Sequence, residues 1–245
     1  MKKIPELAAL FWITKIIATT LGETAGDLFS MTLNVGYAVS SIILFGFFIV
    51  ILCIQLSLKK YIPLVYWLVI LATSTSGTTM SDYMDRTLGL GYALGSLILV
   101  SILLLVLTLW KITEKSLSVE NIVTKRVEVF YWIAILFSNT LGTALGDFLA
   151  DDSGLGFLGS AILIGSALLI LILFHFYTKI STVILFWFAF VLTRPFGATF
   201  GDLLTKSTLK GGLNYGTKGA SLILFTMLIG FVVYETIQIN KNKQL

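Results

Sequence analysis

The 245-residue sequence holds a single cysteine, Cys53, and a single histidine, His175. A lone cysteine forms no internal disulfide, and a lone histidine beside it leaves no ligand set for zinc, haem or another soft-metal site. Charge is almost as scarce: Asp, Glu, Lys and Arg make up 12% of the chain against 57% hydrophobic residues, and mean hydropathy is +0.95. That composition excludes a water-soluble enzyme domain. No nucleotide-binding segment is present, which argues against ATP hydrolysis by this chain. The net charge of +4 implies no nucleic-acid partner, because the basic residues lie between apolar runs, where they set orientation.

What the sequence does have is apolar runs of membrane length. Segments such as 37–58 and 93–110 are long enough to cross a hydrocarbon core of roughly 30 Å, so the chain reads as an integral membrane protein with the lipid bilayer as its principal partner. Lys2 and Lys3 precede the first run without a small-residue cleavage pattern, so that span is expected to be retained.

One unit returns four times. Trp12, Trp67, Trp132 and Trp187 are each followed fifteen positions later by an aspartate, Asp27, Asp82, Asp147 and Asp202. Five positions before each aspartate stands Gly22, Gly77, Gly142 or Gly197, and immediately before it Gly26, Ser81, Gly146 or Gly201. Gly36, Gly91 and Gly156 follow the first three aspartates by nine positions, while Gly216 is delayed by a five-residue insertion within 206–212. Each unit reads as a span rising to the aspartate, a polar turn, and a more uniformly apolar span returning. The expected fold is an all-α polytopic membrane protein, a single membrane domain over 1–245 with repeats 5–60, 61–110, 128–178 and 181–238. Its eight transmembrane helices would cover 5–28, 36–57, 62–83, 90–110, 128–149, 156–177, 181–203 and 216–238. Units that cross twice share one orientation, so they are parallel repeats with pseudo-symmetry about the membrane normal.

Eleven Lys and Arg residues lie at the N-terminus, at Lys59 and Lys60, in the 111–126 connection, at Lys179 and in the C-terminal tail; Arg86, Lys206, Lys210 and Lys218 lie on the other side. Positive residues favour the cytoplasm. Both termini and the 111–127 connection are therefore expected there, in what reads as a bacterial cytoplasmic membrane, with the aspartates toward the outside.

Seven ionisable residues fall within the spans: Lys15, Glu23, Asp27, Asp82, Asp147, Arg194 and Asp202. An ionisable group in hydrocarbon costs on the order of 3 kcal/mol, so each needs a partner, water or a function. All seven are on odd-numbered spans, which suggests that those spans line a central polar region while the even spans brace them or face lipid. Residues three, four and seven apart share a helical face. Thr20 and Thr24 join Glu23 and Asp27 on that face; Thr75, Thr78, Thr79 join Asp82; Thr140 and Thr143 join Asp147; Thr199 joins Asp202. Oxygen ligands without thiolates suit hard cations such as Mn²⁺, Mg²⁺, Ca²⁺ or Na⁺, and carboxylates in a low-dielectric wall also carry protons. Gly-x-x-x-Gly spacing, as in Gly22 to Gly26, allows close helix approach, a packing role. Pro195 beside Arg194 is expected to kink the seventh span. Asp85, Asp151 and Asp152 read as solvated turn residues, the tryptophans as structural, and His175 as interfacial.

The Trp-to-Asp unit and the run Leu-Gly-Glu-Thr-Ala-Gly-Asp at 21–27 resemble a family of bacterial integral membrane proteins built from four tandem two-span repeats of unknown function. That resemblance covers the whole chain and implies eight spans. Glu23-Thr-Ala-Gly-Asp27 is also similar, with one residue more between the acids, to the Glu-x-Gly-Asp motif of calcium and manganese cation/proton antiporters. The reading that follows is a secondary transporter or exporter of a small hard cation, divalent such as Mn²⁺ and open to proton coupling. It passes through a central acidic and threonine-lined cavity. Glu23, Asp27, Asp82, Asp147 and Asp202 are its ligands; Lys15, Thr20, Thr24, Thr75, Thr79, Thr140, Thr143, Arg194 and Thr199 line the pathway. No catalytic residue and no cofactor beyond a bound cation is expected, and a homo-oligomer is left open. The alternatives are transport of a small organic anion or metabolite bound by Lys15 and Arg194, or a non-transporting structural or regulatory membrane protein. An intramembrane aspartyl protease fits less well, since Asp147 and Asp202 lack the first glycine of its Gly-x-Gly-Asp sequence.

Overall fold

The computed structural model describes residues 4–5, 7–119, 122 and 124–242, the side chain of Asn242 excepted. Lys2, Lys3 and Lys243, which enter the orientation argument, lie outside the described residues. Among those described there are eight α-helices and no strand. They are α1 (Ala9–Asp27), α2 (Tyr37–Ser57), α3 (Pro63–Asp82), α4 (Tyr92–Glu114), α5 (Lys125–Asp147), α6 (Gly156–Tyr177), α7 (Thr182–Thr205) and α8 (Gly216–Asn242). Six of them, α2 and α4 to α8, are long and apolar enough to cross a membrane. α1 carries Lys15, Glu23 and Asp27, and α3 a nearly continuous run of Ser and Thr over 73–81, which lowers their hydropathy. Both bury those polar faces against other helices.

Local chemistry sets the helix ends. Pro63 opens α3, where a missing N–H costs nothing, and the Thr124 hydroxyl accepts from the Val127 amide (3.2 Å) to cap α5. The glycine nine residues past each of the first three aspartates has positive φ (Gly36 +80°, Gly91 +72°, Gly156 +67°), as does the displaced Gly216 (+69°). That backbone requirement explains why this glycine recurs in every unit. In the first three units the odd helix ends in a π-helical turn directly after its aspartate, at Leu28–Thr32, Tyr83–Thr87 and Phe148–Asp152. The fourth departs: α7 stops at Thr205, and a 3₁₀ turn at Thr208–Lys210 takes up the insertion.

Packing follows a cyclic order. α1 lies against α3, α3 against α5, α5 against α7, and α7 against α1. The glycines make this approach possible, and they do so by the same contact at each step. A Cβ on Gly22 would collide with Ser74, one on Gly77 would lie 2.9 Å from the Thr140 nitrogen, one on Gly142 would collide with the Arg194 side chain, and one on Gly197 would lie 2.9 Å from the Thr20 nitrogen. The even helices pack outside this ring, and each sits chiefly on the odd helix of the next unit: α2 on α3, α4 on α5, α6 on α7 and α8 on α1. Their outward surfaces are rows of exposed Ile, Leu, Val and Phe.

The tryptophan end of the ring is filled by aromatic rings. Phe11 packs on Trp67 (5.7 Å between ring centres), Tyr66 on Trp132 (5.5 Å) and Phe186 on Trp12 (5.8 Å), and the Tyr66 and Tyr131 hydroxyls share a 2.6 Å hydrogen bond. The tryptophans are thus structural, as the sequence suggested. α7 runs without interruption through Pro195, from Thr182 to Thr205.

Candidate ion site at the ring centre

Counting back from the four aspartates by whole helical turns sorts the polar residues into layers. Four residues before each aspartate stand Glu23, Thr78, Thr143 and Ala198; eight before, Thr19, Ser74, Asn139 and Arg194; twelve before, Lys15, Ile70, Ile135 and Phe190. All of these except Ile70, Ile135, Ala198 and Phe190 are polar or charged, and every one is buried.

Glu23 and Arg194 meet in the middle. The Arg194 Nη2 lies 3.0 Å from Glu23 Oε2, with both side chains almost wholly enclosed. The same nitrogen donates to the hydroxyls of Thr78 (2.5 Å) and Thr143 (2.7 Å) and to the Ser74 carbonyl (3.3 Å), while Nη1 donates to the Thr19 carbonyl (3.4 Å). Thr78 (3.2 Å) and Thr143 (3.3 Å) in turn donate to Glu23 Oε2. One side chain from each odd helix therefore joins a single network. A guanidinium with five donors and no acceptor needs this many oxygens once water is removed. Arg194 Nε is left without a hydrogen bond.

The aspartate layer is held by two cations. Arg86 lies 2.9 Å from Asp82 Oδ1 and 3.0 Å from Asp147 Oδ2. Lys206 lies 2.6 Å from Asp27 Oδ2 and 3.0 Å from Asp202 Oδ1. Each cation stands one turn past its own aspartate and reaches that of the following unit, with unit one following unit four. Burial alone would lower the Lys206 pKa, but attraction to Asp202 and then Asp27 outweighs it, so the ammonium is held above its usual range. Sequence reasoning left Arg86 and Lys206 among the turn residues; the signal it passed over is their i,i+4 spacing from Asp82 and Asp202. Asp85 is likewise a correction. It is buried rather than solvated, accepts from the Ser81 hydroxyl (3.2 Å), and is packed against Gly95 of α4. Asp151 and Asp152 are exposed, as expected.

Lys15 does not act as a counter-charge to the acids. Among the described residues it forms no ion pair; its ammonium donates to the Phe190 carbonyl (3.0 Å) and the Thr193 hydroxyl (2.5 Å) and lies 3.7 Å from the centre of the Phe190 ring. Several pathway threonines bond back to their own helices. Thr20 donates to Ile16 O, Thr75 to Leu71 O, Thr79 to Ser76 O, Thr140 to Leu136 O and Thr199 to Pro195 O, all within their own helices. Thr24 bonds its own helix at Leu21 O and accepts from Ser221 of α8 (2.9 Å). Thr143 is the pathway threonine that reaches Glu23, joined by Thr78.

Of the five acids, Glu23, Asp27 and Asp202 come together: each offers a carboxylate oxygen, all within 4.8 Å of one another and buried. Asp82 and Asp147 stand apart from this trio, joined through Arg86. Three carboxylates from α1 and α7 form an oxygen-only donor set that suits a hard cation.

The sequence pattern of the family described as Repeat of Unknown Function (DUF347) matches residues 10–61, 65–116, 130–181 and 185–238. The chain belongs to that family. Its four matched segments are four tandem repeats, each spanning one odd helix, its turn and the following even helix. No curated protein and no solved structure matches the chain. In this DUF347 chain the layers are therefore repeat positions: Glu23 and Arg194 stand where the other units carry no charge, and Arg86 and Lys206 share one position that holds Met31 and Asp151 in the other two units.

Proposed function

We propose that this chain is a secondary transporter of a small hard cation, with Glu23, Asp27 and Asp202 as its transient ligands and the same carboxylates available as proton carriers. The observation that carries the reading is the convergence of those three buried carboxylates in a helix ring whose other buried polar side chains are mostly hydroxyls. In this reading all eight helices cross the membrane. α1 and α3 are sheltered by their neighbours from lipid, the four units are related by a pseudo-rotation axis along the membrane normal, and both termini face the cytoplasm. A bacterial cytoplasmic membrane fits the positive residues on that side.

Carriage of an organic anion by Lys15 and Arg194 has less behind it, because both cations are already committed to protein oxygens and an aromatic face. Purified protein in liposomes tests the choice. With an imposed pH gradient, external Mn²⁺ or another hard cation should enter protein-containing vesicles faster than empty ones. Glu23→Gln and Asp27→Asn should each slow that entry at least about tenfold, since affinity at oxygen sites follows ligand charge. Lys218→Gln, at an exposed position, should not. Equal flux with and without protein for every cation in the panel would remove the transport reading and leave a structural membrane protein.

A further inference from the structure

Resting on the reading of Glu23, Asp27 and Asp202 as a cation site, we infer that Lys206 is a tethered competitor for that site. Its ammonium occupies the cation's place until a divalent cation displaces it, and this competition discriminates against monovalent cations. The ammonium already does what a bound cation would do, bridging Asp27 (2.6 Å) and Asp202 (3.0 Å). Asp202 Oδ1 is buried and is paired with that ammonium.

The two bridging cations differ in how firmly they are held. Arg86 sits in a π-helical turn continuous with α3, and its guanidinium lies over Tyr92 (5.6 Å) and Tyr37 (5.9 Å) as well as between its two aspartates. Lys206 stands just past the end of α7, where the backbone turns extended (ψ 156°), in the one unit that carries the insertion. The loop around it is fastened by backbone bonds, Leu213 to Leu203 O (2.7 Å), Asn214 to Lys206 O (2.9 Å) and Tyr215 to Leu204 O (2.9 Å). Only the flexible lysine stem has to swing for the ammonium to leave, and that side chain is partly open to the outside.

Charge then selects the ligand. With Arg194 committed to Glu23, the three carboxylates keep two uncompensated negative charges whenever all are ionised. Lys206 neutralises one of them. A free monovalent cation would bring the same charge as the ammonium it replaces and would lose translational freedom that a tethered group has already lost. A divalent cation neutralises both, so it gains where the monovalent does not.

Calorimetric titration of the detergent-purified protein with Mn²⁺ reads this directly. Lys206→Gln should bind Mn²⁺ at least about tenfold more tightly than the unaltered protein, the scale set by one unit charge removed from hydrogen-bond distance. Na⁺ should compete with Mn²⁺ in Lys206→Gln but not in the unaltered protein, and Lys218→Gln, at an exposed position, should leave Mn²⁺ affinity unchanged. A second measurement needs no variant: saturating Mn²⁺ should speed acylation of Lys206 by an amine-reactive reagent, followed by peptide mass spectrometry, while Lys218 labelling stays constant and Na⁺ has no effect. Mn²⁺ affinity in Lys206→Gln no tighter than in the unaltered protein, or Lys206 labelling unmoved by bound Mn²⁺, would overturn the competitor role alone. Absence of both Mn²⁺ binding and flux in every form would overturn the cation site itself.

Discussion

Replacing Arg194 with glutamine should lower the stability of the detergent-purified protein by about 3–5 kcal/mol, the range for removing one partner of a buried ion pair. Glu23 would keep its charge at the centre of the ring while losing the guanidinium 3.0 Å away, and the Thr78 and Thr143 hydroxyls would lose the donor they share with it. Glu23→Gln in the same chain should recover much of that loss, because the uncompensated charge is then gone. Thermal unfolding of the two single variants and the double variant checks both statements. Equal destabilisation by the single and the double change would mean that lost packing, rather than the unpaired charge, dominates. Lys15→Met offers a contrast: that ammonium faces a carbonyl, a hydroxyl and a ring rather than a carboxylate, so its removal leaves no ion behind.

The second large effect is steric. Gly197→Ala should cost about 1–3 kcal/mol, because the new methyl would meet the backbone of α1 at Thr20 and the Thr19 hydroxyl, and backbone cannot step aside as a flexible side chain can. Gly77→Ala faces the Thr140 nitrogen and the Asn139 carbonyl carbon and should behave alike. Gly46→Ala on α2 meets nothing within 4 Å and should instead stabilise by up to about 1 kcal/mol through helix propensity. Opposite signs of the melting-temperature change at Gly197 and Gly46 are the expected result. A harmless Gly197→Ala would mean that α1 and α7 are not held as close as their contact implies.

Much of this was legible in the sequence because repetition fixes register. Once Trp12 to Asp27 and its three copies are aligned, the residues that share a layer follow by subtraction, and the odd helices stand out by their charge. The partner of each even helix was not legible. α2 and α4 are apolar nearly all round, so periodicity gives no face to assign, and choosing α3 over α1 as the neighbour of α2 depends on how the ring closes. The roles of Arg86 and Lys206 were hidden for another reason. They lie beyond the hydrophobic stretch, where a cation ordinarily meets water, and only a π-helical turn in one case and a helix stop in the other bring them back over the aspartates. Lys15 is the opposite case: it lies within the hydrophobic stretch, yet a carbonyl, a hydroxyl and an aromatic face satisfy it.

The handover of each returning helix to the next unit, completed by α8 on α1, means that the chain is clasped end to end and that its starting point is arbitrary as far as contacts go. A circular permutant opened in the 115–124 connection, with α8 joined to α1 by a short linker, would keep every helix pairing and should fold. An excised hairpin would keep none of its main contacts. During synthesis α2 would wait for α3, and α1 would wait longest, its outer flank uncovered until the last helix arrives.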